Sequence, residues 1–427
     1  MTVPSARCNR DNYDDVRTGK GSLVHTNDSH DASVNVRSTS GVSNILAGVA
    51  ESVGEFASIR TMPPEAYTSE AFFEFEKDAI FGRSWLFLCH ESEVPDPGDY
   101  HALYIIDEPL LVTRDEVGSV HVLSAVCQHR GSVLAEEDGS SKFLRCPYHS
   151  WTYGLDGRLL GAPSMTPDHE LEQLKLDTCL PRLKVEIWHG MVFANFDPDA
   201  APLAPALAKL EDVVGPHRLE DLVVAESVYL PNLPFNWKNM QENALEEYHT
   251  TFVHKGYHEN APAHLVERGL FDPGDGGVYR YGGLIIKGGE NVPGRPTFPV
   301  IDGLPERERG YMIFVAIPPT FFAVVYPHGL KLFRIVPQAV NEMTLKISFV
   351  YPRSTLELPE FREMLKRQVD FIELIDRPDI DSNTRMFKGL QSRFAPRGPY
   401  SPQEATLPQF NRWLYERYTA ASSPTAV

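Results

Sequence analysis

The alternation of apolar and polar positions divides this chain into an N-terminal arm and two regions of different pattern. In residues 1–55, Ser, Asp, Asn, Thr and Gly dominate, and Tyr13 is the only aromatic residue. Such a stretch buries too little apolar surface to offset the entropy that is lost on ordering. We therefore predict a disordered arm over residues 1–55, with at most a short helix at residues 43–53.

Order is predicted to begin near Pro63, and the first ordered region is rich in short strands. Thr68 or Ser69 can cap a helix that runs to about Phe81. Extended apolar runs separated by turns follow, which predicts a β-meander and then a hairpin. These predicted elements are the strands 103–106, 110–113 and 120–123, the hairpin turn 153–157 and a final strand 188–195. We place this helix and the β-rich domain at residues 56–200.

After residue 200 the pattern changes to a mixture of strands and helices. A Pro/Ala-rich stretch at residues 200–205 is predicted to be a linker. Long apolar runs broken by Pro and Gly over residues 311–350 predict antiparallel strands joined by hairpins. Apolar residues at helical spacing over residues 359–375 predict a helix. The sequence therefore indicates an α+β chain whose last domain covers residues 201–427.

Composition narrows the classes of partner. The chain has 427 residues, of which 40 are basic and 58 acidic, and its net charge is −18. A charge of this sign disfavours nucleic acids and anionic membrane surfaces as partners. The sequence contains no apolar run long enough for a membrane span and no recognisable signal or transit peptide. We therefore expect a cytoplasmic protein that acts on a small molecule.

Two short motifs, each with one cysteine and one histidine, are the clearest chemical signal. Cys127 and His129 form the first, and Cys146 and His149 form the second. Two thiolates and two imidazoles suit a Rieske [2Fe-2S] cluster, in which the cysteines bind one iron and the histidines the other. They also suit tetrahedral zinc, although zinc modules more often pair Cys with Cys and His with His. The other three cysteines are predicted to be reduced, non-catalytic thiols.

The residues around these motifs resemble those of the Rieske non-haem iron oxygenases, in their large (alpha) catalytic subunit. Arg130 and Gly131 follow the first histidine, and Trp151 stands two residues after the second, as in that family. The resemblance covers nearly all of the chain after residue 60. It implies a Rieske domain and a helix-grip catalytic domain, in which an antiparallel sheet surrounds a long C-terminal helix. It also implies a second metal centre, a mononuclear Fe(II) ion.

Residues 236–254 contain two histidines that match the iron ligands of the family, His249 and His254. A site of two histidines and one carboxylate leaves metal positions open for dioxygen and substrate. A separation of five residues turns about 140° on a regular helix, so the helix has to distort or end near Thr250. His258 stands four residues after His254, shares a helical face with it and is an alternative ligand.

The third iron ligand is expected among the three aspartates of residues 376–381. In the family, an aspartate stands ten residues before a Gly-Leu/Met-x-Ser stretch, which here begins at Gly389. The resemblance therefore implies Asp379 as the ligand, and Asp376 and Asp381 are alternatives. These acids are also suitable caps for a following helix.

Glu246 stands three residues before the first iron histidine. In the family, an acid at this position bridges the two centres, so the resemblance gives Glu246 a catalytic role between His249 and His149 of a neighbouring subunit. Ring-hydroxylating members usually have Asp here, whereas Glu is more typical of members that oxidise quaternary amines. Glu247 is an alternative, but its spacing points it away from the face of His249.

The resemblance also implies partners and a reaction class. Electrons are expected from NADH or NADPH through a flavin reductase, a ferredoxin or both, and the subunits are expected to form a homotrimer, with or without a small beta subunit. The main expectation is hydroxylation of an aromatic compound with O2, and the alternative is oxidation of a methylated or quaternary amine. A Rieske electron carrier fused to a ligand-binding module is a further alternative.

Overall fold

The computed structural model describes residues 31–165, 168–254, 266–269, 279–284 and 297–422. The chain divides into two compact units. Of the described residues, the first unit comprises residues 31–34, Glu93–Val185 and Phe196–Pro198, and the second comprises Asn35–Ser92, Glu186–Asn195 and those from Asp199 to Ser422. Within the described ranges, none of the helices has the length and apolar character that crossing a membrane requires.

Helices and antiparallel strands are both present, which confirms the predicted α+β class. Among the described residues the helices are α1 (Asp31–Ala50), α2 (Glu65–Thr68), α3 (Glu70–Glu76), α4 (Asp168–Asp177), α5 (Leu203–Ala206), α6 (Ala208–Val214), α7 (Trp237–Leu245), α8 (Thr250–Val253), α9 (Arg353–Leu356), α10 (Phe361–Leu374), α11 (Asp376–Leu390) and α12 (Leu407–Ser422). The strands are β1 (Leu86–His90), β2 (Asp99–Ile105), β3 (Glu108–Arg114), β4 (Val120–Ser124), β5 (Gly139–Ser140), β6 (Leu144–Arg145), β7 (Thr152–Tyr153), β8 (Leu159–Gly161), β9 (Lys184–Trp188), β10 (Met191–Asn195), β11 (Leu222–Leu233), β12 (Glu267–Arg268), β13 (Tyr279–Leu284), β14 (Tyr311–Ile317), β15 (Phe321–Tyr326), β16 (Gly329–Ala339) and β17 (Glu342–Pro352).

Small antiparallel sheets form the first unit, with strand orders β4-β3-β2-β5 and β6-β7-β8. The predicted meander is confirmed, since β2 pairs with β3 and β3 with β4. The core of this unit contains Leu111 and Leu123 from the meander together with Tyr153 from β7. Cys127 and Cys146 are buried in the same cluster. The two candidate ligand loops are therefore supported by the apolar core of the unit.

A large antiparallel sheet forms the centre of the second unit. Among the described residues its strand order is β11-β17-β16-β15-β14-β13-β12. One face of this sheet, which contains Leu330 and Leu332 of β16, packs into a core with Phe87 and Phe193. Because side chains alternate along a strand, Lys331 lies on the opposite face. The hairpin strands predicted over residues 311–350 are thus confirmed as β14 to β17.

Separate helices follow the large sheet where the family resemblance implied one long helix. The helix predicted at residues 359–375 is confirmed as α10, but the chain departs from it at Ile375 and continues as α11. Pro378 accounts for the break, because proline is tolerated in the first turn of a helix but not in its interior. α11 contacts α7, so the break places the acids in the first turn of α11 near that helix.

The N-terminal arm is more ordered than predicted. Ile45 and Val49, near the end of α1, are buried, with 8% and 0% of their surface exposed. The guanidinium of Arg397 donates to the carbonyl of Gly48 at 2.9 Å and pairs with Glu51 at 2.6 Å. The prediction of disorder to residue 55 is wrong here because it considered only local composition. The part of the arm before α1 lies outside the described residues.

The boundary between the two units also differs from the predicted one. The predicted final strand at residues 188–195 is a hairpin of β9 and β10, and its turn contains His189 and Gly190 at positive φ. β10 pairs with β1, and Phe193 packs into the core of the second unit. Helix α3, capped by the Ser69 side chain as predicted, belongs to the second unit as well. The division follows the two apolar cores rather than chain order.

Candidate metal centres

The two cysteine–histidine motifs form loops with the same backbone pattern. In the first loop, the N–H of Cys127 donates to the carbonyl of Ser132 at 2.9 Å, and the N–H of Gly131 donates to the carbonyl of Cys127 at 3.0 Å. The second loop repeats both bonds: the N–H of Cys146 donates to the carbonyl of Trp151 at 2.8 Å, and the N–H of Ser150 donates to the carbonyl of Cys146 at 3.0 Å. The fourth residue after each cysteine has a positive φ, 75° for Gly131 and 60° for Ser150. Both loops therefore reverse direction at the same position.

Hydrogen-bond donors surround the two sulfur atoms. The hydroxyl of Tyr153 lies 3.4 Å from Sγ of Cys127, while burial raises the pKa of this thiol. Burial acts in the same direction on Cys146, but the backbone N–H groups of Tyr148 and His149 outweigh it and hold the pKa of Cys146 below its usual value. Donors aimed at sulfur stabilise the thiolate, which is the form that binds metal.

The two histidines of the motifs lie beside each other. The ring centroids of His129 and His149 are 4.9 Å apart, and Trp151 stacks on His129 at 4.8 Å. Nδ1 of His129 is buried and has no hydrogen-bond partner in the described part of the chain, as expected for a nitrogen that binds a metal. Two thiols and two imidazoles from matching loops fit a Rieske cluster.

The second candidate centre begins where α7 ends. This helix runs to Leu245, and the next residue, Glu246, has an extended backbone with φ −129° and ψ 156°. The hydroxyl of Thr406 donates to the carbonyl of Leu245 and so satisfies a group at the helix end. The chain therefore leaves the helix three residues before the first candidate iron histidine.

His249 and His254 stand at the two ends of α8. The break that the sequence predicts near Thr250 lies slightly earlier, between α7 and α8, and it brings the two rings within 5.3 Å. Oδ1 of Asp379, in the first turn of α11, is 3.4 Å from Nε2 of His249 and 3.0 Å from Nε2 of His254. These ligand atoms lie within 4.8 Å of one another, which fits a site of two histidines and one carboxylate.

The alternative residues occupy other positions. Asp381 is exposed, and Asp376, although buried, pairs with a lysine of the sheet. Glu247 is buried and pairs with Arg268. His258 lies outside the described residues. Of the three aspartates in the segment, the one brought to the histidine pair is therefore Asp379, the residue implied by the family spacing.

Glu246 contacts the first histidine of this pair. Nδ1 of His249 lies 2.5 Å from Oε1 of Glu246, and the backbone N–H of His249 donates to Oε2 at 3.1 Å. Burial alone would lower the pKa of His249, but the carboxylates of Glu246 and Asp379 raise it above the usual value. Because Glu246 occupies Nδ1, Nε2 is the nitrogen that faces Asp379.

Two residues of these centres were not identified from the sequence. Nδ2 of Asn243 lies 3.4 Å from Oδ1 of Asp379, and Tyr153 lies against Cys127. Asn243 lies in the last turn of α7, three residues before Glu246, so its position close to the iron motif in the sequence was the available signal. Tyr153 follows the second loop in a strand, where alternation predicts an inward side chain but not its contact with a sulfur.

Comparison with protein-family models matches both units. Residues 84–183 match the Rieske [2Fe-2S] domain, and residues 219–420 match the ring hydroxylating alpha subunit (catalytic domain). The first match ends near the boundary of the first unit at Val185. The two matches therefore assign one candidate centre to each family domain.

Individual relatives agree with these family matches. The carnitine monooxygenase oxygenase subunit of Escherichia coli (strain K12) is 32% identical over 337 residues, which is 78% of this chain and 85% of the relative. The corresponding subunit of Acinetobacter pittii is 35% identical over 200 residues, and this alignment spans 46% of the chain and about half, 53%, of the relative. The structure of naphthalene 1,2-dioxygenase from Rhodococcus sp. bound to indole superposes with a TM-score of 0.72 at 22% identity, covering 90% of this chain and 98% of that chain. The last similarity shows a shared fold.

Proposed function

Because the chain belongs to the family of Rieske non-haem iron oxygenase alpha subunits, we propose that it is an oxygenase component that oxidises a small organic molecule with dioxygen. The observation that supports this most is the presence of two separate donor sets. One consists of the cysteines and histidines of the paired loops, and the other consists of His249, His254 and Asp379. An electron carrier, the remote alternative, would need the first set alone.

In this proposal, Cys127, His129, Cys146 and His149 hold a [2Fe-2S] cluster, and the second donor set holds Fe(II). When bound, the cluster supplies single electrons and Fe(II) supplies the site of dioxygen chemistry. Three protein ligands leave further metal positions for dioxygen and substrate. A carboxylate hydrogen-bonded to a ligand histidine fixes the orientation of its ring, and Glu246 has this role at the second site.

We further propose that the electrons come from NADH or NADPH through a reductase, with or without a ferredoxin. The proposed assembly is a homotrimer, with or without a small beta subunit, in which Glu246 of one copy faces His149 of the next. This arrangement rests on the family resemblance, and it would give Glu246 a second hydrogen-bond partner in addition to His249.

We propose a methylated or quaternary amine as the substrate, in preference to the aromatic compound that is the main expectation from the sequence. Carnitine monooxygenase subunits are among the relatives, and Glu246 stands where ring-hydroxylating members usually have Asp. The aromatic compound is the second candidate, because Phe322 and Phe333 stack at 4.2 Å on the sheet face that also contains Lys331. An aromatic pair of this kind suits either an aromatic ring or an alkylammonium group.

Metal analysis combined with oxygen consumption tests the proposal. The purified protein should contain about three irons per chain, two with sulfide and one without, whereas a carrier would contain only the sulfide-bound pair. Oxygen consumption is then measured with NADH and a surrogate reductase over a panel of methylated amines and aromatic acids. Consumption that depends on an amine supports the proposed substrate class, and consumption that depends only on aromatic acids favours the second candidate. Full iron content without consumption on either class would contradict both.

A further inference from the structure

Two of the carboxylates at the start of α11 lie on its buried side. Asp376 and Asp379 are three residues apart, so they are neighbours on one helix face, with about 5–6 Å between their Cβ atoms. Their exposed surface fractions are similar, 9% for Asp376 and 8% for Asp379. Sequence position and burial alone therefore do not explain why Asp379 faces the histidine pair and Asp376 does not.

The two aspartates differ in their partners, because Asp376 pairs with a buried lysine, Lys331. Its Nζ lies 3.3 Å from Oδ2 of Asp376, and its side chain is 9% exposed. Lys331 stands on β16, on the sheet face opposite the core that contains Leu330 and Leu332. The ammonium also lies over two aromatic rings of that face, 5.3 Å from the centroid of Phe333 and 5.7 Å from that of Phe349. It is therefore held by the sheet and directed at the first turn of α11.

The chemistry of the neighbouring site gives this contact a consequence. A centre with two histidines and one carboxylate keeps positions open for dioxygen and substrate, and a second carboxylate ligand would fill one of them. Asp376 is suitably placed to be that ligand, one helical turn from Asp379. A buried cation beside it supplies a competing partner, and a buried charge pair of this kind is costly to break.

We propose that Lys331 is a positioning residue that holds Asp376 away from the mononuclear metal, so that Asp379 is the single carboxylate ligand. This inference rests on the proposed function only in requiring that His249, His254 and Asp379 bind a divalent metal. Lys331 acts through Asp376, its ion-pair partner. Its role is to preserve an open coordination site.

Co(II) binding to the cluster-containing protein tests this inference. The EPR signal of high-spin Co(II) is recorded with the cluster oxidised and therefore EPR-silent, together with the Co(II) dissociation constant. Lys331→Met should tighten Co(II) binding by roughly tenfold and change the EPR spectrum, because a freed Asp376 adds a ligand and a local positive charge is removed. Lys331→Met/Asp376→Asn should restore both the wild-type spectrum and the wild-type affinity. Lys331→Arg, which keeps the charge, should resemble the wild type.

The alternative results are also informative. A folded Lys331→Met protein with the wild-type EPR spectrum would overturn the inference. If Lys331→Met alone fails to fold, recovery of folding in the double variant supports the pairing, and Asp376→Asn alone should leave the affinity within about twofold of wild type. Loss of Co(II) in Asp376→Asn would show that Asp376 is itself a ligand and would also overturn the inference.

The proposed function is judged separately in the same preparations. Wild-type protein that binds Co(II) and shows the expected Lys331 effects, but whose iron form consumes no oxygen, would contradict the proposed function and leave the inference intact. Normal oxygen consumption together with an unchanged Lys331→Met spectrum would contradict the inference alone. Wild-type protein that binds no Co(II) at the histidine pair would contradict both.

Discussion

The candidate cluster site and the candidate iron site differ in how much of the chain is needed to build each one. The cluster donors come from two loops within residues 127–151, and each loop is closed by hydrogen bonds between its own backbone groups. The iron donors come from the two ends of α8 and the first turn of α11. Contacts from further elements position them, since Thr406 binds the end of α7 and Asn243 contacts Asp379.

This difference leads to opposite expectations for variants. A change within one of the loops should affect the cluster and leave the iron donors in place. A change near the iron donors should affect packing in the second unit as well, because the same helices form both the site and the surrounding core. Variants that separate cluster loss, iron loss and stability therefore test whether the two centres are as independent as their construction indicates.

Cys146→Ser should change the protein most, because we expect it to lose the cluster completely. Serine lacks the thiolate that a [2Fe-2S] cluster requires, so visible absorbance and acid-labile sulfide should fall to background while the mononuclear iron is retained. Cys179→Ser, which removes a thiol of the same unit outside both loops, is the matched control and should keep the cluster. Unchanged absorbance in Cys146→Ser would exclude Cys146 as a cluster ligand.

Selective loss of the mononuclear iron is expected next, in Asp379→Ala. Loss of a residue that hydrogen-bonds to a metal ligand weakens metal binding by roughly 10- to 100-fold. Loss of the ligand Asp379 itself should weaken it by more. The cluster spectrum should not change. Asp381→Ala is the control, because this neighbouring aspartate is exposed. If Asp381→Ala lost the iron and Asp379→Ala kept it, the assignment of the carboxylate would be wrong.

The same contrast explains what the sequence could predict. The cluster donors follow from the spacing within residues 127–149, because each loop is closed by its own backbone. The choice of Asp379 came from the family spacing, and its physical cause was out of reach, because Lys331 is separated from Asp376 by 45 positions in the chain. The order of α1 was missed for a similar reason, since Arg397, its main polar partner, is 349 positions from Gly48.

A smaller effect is expected for Glu246→Gln, which changes the carboxylate beside the first iron histidine. The amide can still occupy the space of the carboxylate, so both metals should remain bound. Loss of the negative charge beside Nδ1 of His249 should lower turnover by roughly 10- to 100-fold. Oxygen consumption and the rate at which a reduced cluster is reoxidised in the presence of substrate would measure this. Normal rates with full metal content would remove the bridging role of Glu246.

The stability of the second unit should depend on pH through Glu242, on α7. Burial raises the pKa of Glu242 from 4.5 to about 7; a hydrogen bond from Tyr67 and the charge of Lys238 oppose this shift, while Glu404 and Glu246 add to it. The folded protein thus holds this proton more tightly than the unfolded chain does. Its contribution to stability is greatest below pH 4.5 and is lost as the pH rises through about 7.

Urea unfolding of the wild type and Glu242→Gln between pH 5 and pH 8 measures this contribution. The upward shift of the Glu242 pKa is equivalent to about 3 kcal/mol of unfolding free energy. Between pH 5 and pH 8 the unfolding free energy of the wild type should therefore fall more than that of Glu242→Gln, by up to about this amount. Asp115, in the first unit, provides the contrast. Burial would raise its pKa, but hydrogen bonds from His121 and the backbone lower it, so its contribution is lost as the pH falls. Parallel pH profiles for wild type and Glu242→Gln would contradict the prediction.

The smallest expected effects compare the two cluster loops with each other. A side chain at Gly131 would meet no atom within 4 Å, so Gly131→Ala should cost only the backbone strain of a positive φ, about 1 kcal/mol. Ser150 already has this conformation, and Ser150→Gly should relieve that strain, offset in part by the greater flexibility of glycine in the unfolded chain. The melting temperature of the cluster-containing protein should therefore fall by about 2–4 °C in Gly131→Ala and rise by a smaller amount in Ser150→Gly. Shifts of the same sign would show that the two loops, despite their matching hydrogen bonds, are held by different forces.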